Sequence, residues 1–408
     1  MIFGLNTGWS MDANGNINFP GSVLNTVQQI KSTGAGWIRL SVGGGWNKYA
    51  DWVTQAADNT TRLHQMDQVV SAANSAGLKI LGLLDGGTVT CCNQAQWSAN
   101  SVEAGGGNGD NPFIDLMGQA FSMLSQHYAG QIDAWEVWNE PNAWTTSYGV
   151  GGTFIYPSNF AWLLKRIKDN QHDKAPLISG GIFAFQDSNG LHSGNDYLMA
   201  TVSFGQGIWG GSLPFDYVGQ HLYMPITAYQ QAIDQMAAVT GLPLWITEWG
   251  WQTPPASYTQ QATWLGAANN LFFRSGVAAA FWFKLQDDST MHYGLYDINN
   301  VPKPARPTYS EGVFMDTAIQ LRWNSYFLQL QRLFPTANVQ LARTDTGMYN
   351  AWSNAMLNGK QLGPATSYEY PITDWSGNPG VAQDFGSCRV EWYSSTNNHA
   401  YGPYGQIW

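Results

Sequence analysis

Ile132-Asp133-Ala134-Trp135-Glu136-Val137-Trp138-Asn139-Glu140-Pro141-Asn142 is an apolar run that ends in a polar turn. β-branched and aromatic residues favour an extended chain, and Pro141 with Asn142 stops it. The run predicts a strand that delivers a carboxylic acid, Glu140, beside an amide, Asn139, at its end. Leu244-Trp245-Ile246-Thr247-Glu248-Trp249-Gly250-Trp251 repeats the pattern and ends near a second carboxylic acid, Glu248. Glutamate is scarce: Glu103, Glu136, Glu140, Glu248, Glu311, Glu369 and Glu391 are all there are. A chain so sparing of Glu that still ends two strands with it needs it there.

Outward from these two runs, strands are expected at 2–7, 36–42, 78–85, 132–139, 176–183, 216–223, 243–249 and 278–285. Helical spacing fills the intervals. Leu63, Met66, Val69, Val70 and Ala73 share one face of 61–75, and Phe113, Leu116, Met117, Ala120, Phe121 and Leu124 share one face of 113–127. Helices are also expected at 22–31, 158–169, 229–239 and 258–273, and, with the least periodicity, at 195–203. Eight strands alternating with helices predict an α/β fold, a (β/α)8 TIM barrel. An open doubly wound sheet would carry a glycine-rich nucleotide loop after its first strand, and Asn6-Thr7-Gly8-Trp9 is not one. Gly43-Gly44-Gly45 and Gly105-Gly106-Gly107 lack the Lys-Ser/Thr of a phosphate loop.

Parallel strands point their C-terminal ends at one mouth, so residues distant in sequence converge there. Arg39, Asn139, Glu140, His221, Tyr223, Glu248 and Trp282 all fall at or near proposed strand ends. Two carboxyl groups facing each other across a sugar linkage can cleave it, one protonating the leaving oxygen and the other attacking the anomeric carbon. Trp9, Trp46, Trp97, Trp144, Trp209, Trp249 and Trp251 are expected on the same face, where rings stack on the C–H faces of sugars. Trp37, Trp135, Trp162, Trp245 and Trp264 are expected in the core. Glu136 is expected to be buried and paired rather than reactive.

Composition narrows the partners. Charged residues are 11% of the 408, and 18 Lys+Arg against 28 Asp+Glu give a net charge of −10. No basic run exists to bind nucleic acid, and no apolar stretch reaches the roughly 18 residues of a membrane span. Low charge suits a secreted or cell-surface protein. The chain enters a strand at Ile2 with no signal peptide ahead of it, so an exported form would carry a leader before this sequence. Cys91, Cys92 and Cys388 form neither a disulfide framework nor a zinc site, and their state is open. No metal or cofactor is expected. A helical pattern spans about 308–334; after Pro335 the composition shifts to Asn, Ser, Gly and Tyr. The expected domains are therefore a catalytic barrel with its eighth helix and connector over 1–335 and a small module over 336–408.

Taken together, these motifs resemble the clan A retaining glycoside hydrolases, with family 39 nearest in flavour and family 5 next. Glu136-Val137-Trp138-Asn139-Glu140-Pro141-Asn142 is similar to the clan's fourth-strand motif, whose Glu is the general acid/base. Ile246-Thr247-Glu248-Trp249-Gly250 is similar to the seventh-strand motif, whose Glu is the nucleophile. Gln220-His221-Leu222-Tyr223, Arg39 and Trp282 match the sixth-strand, second-strand and eighth-strand positions, and the resemblance covers about residues 1–320. In the tail, Leu362-Gly363-Pro364-Ala365-Thr366-Ser367-Tyr368-Glu369, Ala382-Gln383-Asp384-Phe385, Val390-Glu391-Trp392 and Tyr404-Gly405-Gln406-Ile407-Trp408 resemble one LGFP-type repeat of cell-envelope and secreted proteins. Pro364 stands where that repeat usually has an aromatic residue.

The resemblance implies a retaining endo-β-glycosidase that hydrolyses a neutral or weakly charged polysaccharide by double displacement. Glu140 would begin protonated and Glu248 ionised, since two close carboxylates resist double ionisation. Arg39, Tyr223 and His221 would hold Glu248, Asn139 would contact the sugar 2-hydroxyl, and Trp282 would floor the subsite. The alternatives are an exo-β-glycosidase of the xylosidase type and a non-catalytic carbohydrate-binding envelope protein. The tail module could hold envelope polymer.

Overall fold

A computed structural model describes residues 1–7, 22–42, 59–86, 88–89, 112–143, 153–184, 193–313, 370–373, 379–385, 389–393, 399–402 and 406–407. Contacts divide the chain into two compact units. The first comprises Ile2–Leu265 and Ala279–Tyr309; the second comprises Met1, Gly266–Ala278 and Ser310–Trp408. The expected boundary after residue 335 lies outside the described residues, as do Cys91, Cys92 and Cys388.

The eight expected strands close into a parallel barrel in chain order: β1 Ile2–Asn6, β2 Trp37–Ser41, β3 Lys79–Leu84, β4 Ala134–Val137, β5 Leu177–Phe183, β6 Tyr217–Leu222, β7 Leu244–Trp249 and β8 Ala279–Trp282. The last strand pairs with the first, Leu5 opposite Trp282. Between them run α1 Val23–Ser32, α2 Asn59–Ser75, α3 Pro112–His127, α4 Pro157–Asp169, α5 Gly194–Gly205, α6 Tyr229–Thr240 and α7 Tyr258–Arg274. This is the (β/α)8 fold. Sequence chemistry sets several ends. Ser22 caps α1 by accepting a bond from Asn25 N at 3.2 Å, Pro157 opens α4, and Gly241 in a left-handed conformation closes α6. Among the described residues no helix is long and apolar enough to cross a membrane.

Strand alternation builds the barrel interior in layers. The rings of Trp37 (β2) and Trp245 (β7) meet edge-on at 5.4 Å, and Tyr217 (β6) and Phe281 (β8) pack on Trp245 at 5.1 and 6.0 Å. β2 and β7 are not neighbours in the sheet, so those rings meet only across the lumen. They plug it with an aromatic layer. Two residues further along the same strands the layer turns polar, with Arg39 on β2 and Thr247 on β7. Asn6 (β1) and Glu136 (β4) join it.

The second unit holds a five-stranded antiparallel sheet in the order β13-β12-β11-β10-β9. Its strands are β9 Tyr370–Thr373, β10 Pro379–Asp384, β11 Arg389–Tyr393, β12 His399–Gly402 and β13 Gln406–Ile407. Ala382-Gln383-Asp384 and Val390-Glu391 from the tail motif lie side by side, Gln383 opposite Val390 and Ala382 opposite Glu391. Leu362 to Glu369 of that motif lie outside the described residues.

Candidate active site

The polar layer is an ion cluster centred on Arg39. Its Nε donates to Glu136 Oε2, its Nη1 to Asn6 Oδ1 (2.9 Å) and Glu248 Oε1 (2.5 Å), and its Nη2 to Asn139 Oδ1 (2.9 Å). Thr247 Oγ1 donates to Glu136 Oε1 at 2.6 Å, and Asn6 Nδ2 donates to the Thr247 carbonyl at 2.9 Å. Arg39 and Glu136 are both buried. Burial opposes the Arg39 charge, but Glu136 and then Glu248 overcome that penalty and hold the guanidinium firmly protonated. Glu136 is thus a paired structural carboxylate, as its place on β4 led us to expect.

Thr247 and Glu248 are adjacent, yet both reach groups inside the barrel. Simple alternation forbids this. A register shift between β6 and β7 permits it: Gln220 pairs with Ile246, but His221 pairs with Glu248. The extra residue re-aims the carboxylate into the mouth. There Tyr223 donates its hydroxyl to Glu248 Oε2 at 2.6 Å. Burial would by itself push the Glu248 carboxyl up. His221 and Arg39, with hydrogen bonds from Tyr223 and Arg39, override that and hold it below its ordinary value. The Tyr223 hydroxyl is pushed well up, first by burial and then by Glu248, so it stays a donor.

Glu140 arrives by a different irregularity. β4 ends at Val137, and Trp138 (φ 76°) and Glu140 (φ 49°) both take left-handed conformations that non-glycine residues rarely adopt. Several bonds hold this bend. Glu140 N donates to Gly181 O (3.0 Å), Thr153 Oγ1 donates to Glu140 O (2.9 Å), and Trp138 Nε1 donates to Thr153 O (2.7 Å). Buried Asn142 clamps the turn to β5, donating to Phe183 O and accepting from Phe183 N, both at 2.8 Å. On β5, Gly180 (φ 91°) admits a bulge, since a Cβ there would meet Val137 O at 2.3 Å.

His221 joins the two carboxyl groups. Its Nδ1 lies 2.9 Å from Glu140 Oε1 and 3.7 Å from Glu248 Oε2. Its Nε2 is buried with no hydrogen-bond partner, so the ring meets the carboxyl oxygens through an Nδ1–H. One oxygen of Glu140 and one of Glu248 lie within 4.8 Å of each other. The Glu140 side chain is 24% exposed and that of Glu248 10%. One carboxyl is therefore open to the mouth, and the other is enclosed and held by a cation.

Glu140, His221 and Glu248 are close enough together to share a metal ion. The donor set argues against that use. Both Glu248 oxygens already accept strong hydrogen bonds, and the Arg39 guanidinium would repel a second cation.

The structure brings together Arg39, Asn139, Glu140, His221, Tyr223 and Glu248, but it corrects the aromatic expectations. Trp282 and Trp249 are fully buried and pack edge-on at 4.8 Å. Trp251 stacks on Tyr229 at 5.5 Å and leans on Trp264. Trp249 and Trp282 are therefore packing residues and not a sugar floor, while Trp251 is half-buried against the same cluster. Trp209 precedes β6 rather than following a strand, and it packs on Phe215. Trp9, Trp46, Trp97 and Trp144 lie outside the described residues.

The ring that packs beside Tyr223 at the end of β8 is Phe283. It lies two residues beyond inward-facing Phe281, so it shares its face of β8. It packs edge-on against Tyr223 (6.0 Å) and Tyr293 (5.6 Å). Tyr293 also faces the carboxyl pair: its hydroxyl is pushed up by burial, then by Glu248 and Glu140. Parity along 278–285 is the signal for Phe283, and Tyr293 opens the stretch, through Val301-Pro302-Lys303-Pro304-Ala305, that resembles the clan's segment after the last strand.

Residues 118–301 match the family model described as the glycosyl hydrolase catalytic core. That stretch carries Asn139, Glu140, His221, Tyr223, Glu248 and Phe283. Among solved structures, a family 39 glycoside hydrolase from the gut symbiont Bacteroides cellulosilyticus WH2 is similar, with 16% identity and a TM-score of 0.51. The match covers 99% of this chain and 73% of that one. GH5_18 from Streptomyces cattleya, in complex with GlcNAc, is 14% identical with a TM-score of 0.50, over 76% of this chain and 79% of that one. A beta-glucosidase, 1317, in its apo form is 13% identical with a TM-score of 0.51, over 71% of this chain and 87% of that one. At such identities the likeness is one of fold. No curated protein matches the sequence.

Proposed function

We propose that this protein is a retaining glycoside hydrolase that cleaves internal β-linkages of a neutral or weakly charged polysaccharide. The carrying observation is that Glu140 and Glu248 approach within 4.8 Å in unlike surroundings. A closest approach this short supports the spacing of double displacement, about 5–5.5 Å, over the about 6.5–9.5 Å at which an inverting pair holds its water.

In the first step the Glu248 carboxylate attacks the anomeric carbon. The bond to the glycosidic oxygen breaks as that oxygen takes the Glu140 proton, which frees the leaving chain as an alcohol and leaves a glycosyl ester on Glu248. In the second step Glu140 takes a proton from water, the water oxygen attacks the anomeric carbon, and the ester bond breaks to restore the Glu248 carboxylate. Arg39 and Tyr223 hold Glu248 charged and aimed. Asn139, its Oδ1 held by Arg39, offers its amide N–H to the 2-hydroxyl, a contact that strengthens as positive charge develops on the ring. Phe283 and Tyr293 flank the reacting sugar.

With Trp249 and Trp282 in the core, the endo reading rests, among the described residues, on the aromatic side chains of Tyr223, Phe283 and Tyr293. A polysaccharide panel tests both parts of the proposal. Endo action lowers viscosity early relative to reducing ends; release of monosaccharide alone, with viscosity unchanged, would establish exo action instead. Products from wild type but not from Glu248→Gln exclude a non-catalytic binding protein. We place the activity outside the cell or at its surface, in keeping with the low charge content. We assign envelope-polymer binding to the tail, on its resemblance to an LGFP-type repeat. Equal polymer pull-down with and without residues 336–408 would reject the tail assignment.

A further inference from the structure

A buried ion pair that the reaction steps do not use lies in the segment after β8. Lys303 Nζ is 2.9 and 2.7 Å from the two oxygens of Asp287, and both side chains are buried. It also donates to Thr253 Oγ1 at 3.1 Å and to the His292 carbonyl at 3.2 Å. These four oxygens use all three ammonium protons. Taking two charges out of water offsets much of their attraction, so the pair does more to fix geometry than to add stability.

What it fixes is the peptide chain around Tyr293. On one side the His292 carbonyl accepts from Lys303, and from Thr253 N and Oγ1 at 3.1 and 3.0 Å. On the other side Gly294 N donates to Asp287 Oδ1 at 2.6 Å. Between them the Tyr293 carbonyl accepts from Trp282 Nε1 at 3.0 Å and from Gln261 Nε2 at 3.3 Å. Three successive residues are thus tied, and the two outer ones are tied to the ion pair.

The Tyr293 side chain is what this frame presents. Its ring packs edge-on against Tyr223 (5.5 Å) and Phe283 (5.6 Å), beside the hydroxyl that holds Glu248. Tyr293 is half-buried, and its own hydroxyl makes no hydrogen bond among the described residues. Three of the four oxygens of the carboxyl pair already have donors, from Arg39, Tyr223 and His221. A phenol held this firmly, with no protein acceptor, is ready to donate to a substrate without being ordered first. A neutral sugar offers hydroxyl oxygens to accept that proton and C–H faces for the neighbouring Phe283 ring. We propose that Tyr293 is a sugar-contacting residue, its phenol donating to a hydroxyl of the unit held at Glu140 and Glu248, and that Lys303 and Asp287 are the positioning pair that sets it there. The sugar contact rests on the glycosidase reading; the positioning rests on the hydrogen bonds of the segment itself.

The test uses the full chain, with urea unfolding to show that each variant is folded. Tyr293→Phe keeps the ring and should lower kcat/KM about three- to tenfold, the worth of one hydrogen bond. Lys303→Met should lower kcat/KM at least as much as Tyr293→Phe does. In a Tyr293→Ala background the same Lys303→Met change should cost less than about twofold, because the group it positions is gone. If Lys303→Met fails to fold, Lys303→Met with Asp287→Asn removes both charges together and takes its place. Tyr293→Phe within about twofold of wild type, or equal losses from Lys303→Met in both backgrounds, overturns the proposal. Should wild type turn over no substrate, 3-fluorotyrosine at position 293 reads the contact by ¹⁹F NMR. Cellobiose or xylobiose at about 100 mM, well above a millimolar Kd, should move the signal, and Lys303→Met should abolish the movement; a silent signal overturns the proposal. Turnover by wild type with Tyr293→Phe unimpaired defeats this inference alone, and a fluorine shift without turnover defeats the glycosidase reading alone.

Discussion

Gly181→Ala is expected to disable the site without touching a reacting group. An ideal Cβ at residue 181 would lie 1.9 Å from His221 Nε2, with the whole edge of the ring within 2.6 Å. Ordinary contact begins at 3.4 Å, so the ring or the strand must yield by about 1.5 Å. His221 is fully buried and cannot retreat freely. Rotation would break its 2.9 Å contact with Glu140, and a shift of β5 would drag the Glu140 N–H that donates to Gly181 O. A misplacement of about 1 Å at a reacting group costs about 100-fold, or roughly 2.7 kcal/mol in kcat/KM. The overpacking should also lower stability by about 1–3 kcal/mol. Initial rates on an aryl β-glycoside or the best polysaccharide measure the first effect, and urea unfolding measures the second. In a His221→Ala background the same change should cost little, because the obstructing ring is gone. A folded Gly181→Ala protein within about threefold of wild type, or an equal loss in both backgrounds, would refute the reasoning.

Arg39→Met leaves Glu136 and Glu248 buried without their cation, and should destabilise the fold by about 3–5 kcal/mol in urea titrations, partly recovered by adding Glu136→Gln. It should also move the acidic limb of kcat/KM to higher pH, since Arg39 helps to hold the Glu248 carboxyl down. The linkage has a definite sign: a carboxyl lowered on folding stabilises the native state above its ordinary value of about 4.5, and that contribution is lost as pH falls through its folded value. Unfolding free energy measured from pH 7 to pH 3 should therefore fall less steeply for Glu248→Gln than for wild type. Phe283→Ala and Trp282→Ala should separate cleanly. The first should lower kcat/KM with a modest effect on melting; the second should cost about 3–5 kcal/mol of stability, as expected for a buried tryptophan. The reverse pattern in thermal melts and kinetics would restore Trp282 to the mouth.

The strands were legible because each is a short β-branched or aromatic run bounded by Gly, Pro, Asn or Asp, and closed parallel topology then placed their ends together. α5 was the faintest helix for a physical reason: its buried stripe is Gly194, Tyr197, Leu198, Thr201 and Gly205, which only half reads as apolar. The carboxyl pair and Arg39 were legible as residue types at strand ends. Their aim was not, because it depends on backbone irregularities that break strict alternation. The bulge before Glu248 and the left-handed Trp138 and Glu140 carry no local signature such as glycine. The aromatic error has a related cause. A tryptophan at a strand end reads as facing the mouth, but one residue of parity turns Trp282 outward and Phe283 inward. Gly181 matters only through the ring of His221, 40 positions away, so its role belongs to packing and not to sequence pattern.

The stereochemistry of the first product tests the central claim most directly. Proton NMR of the anomeric region, recorded in the first minutes of turnover on a β-linked substrate, distinguishes the outcomes before mutarotation blurs them. A pair this close, with Glu248 as the nucleophile, predicts the β-anomer first and its slow decay to the equilibrium mixture. Initial release of the α-anomer would mean that water attacks directly, and would contradict the double displacement built on Glu140 and Glu248.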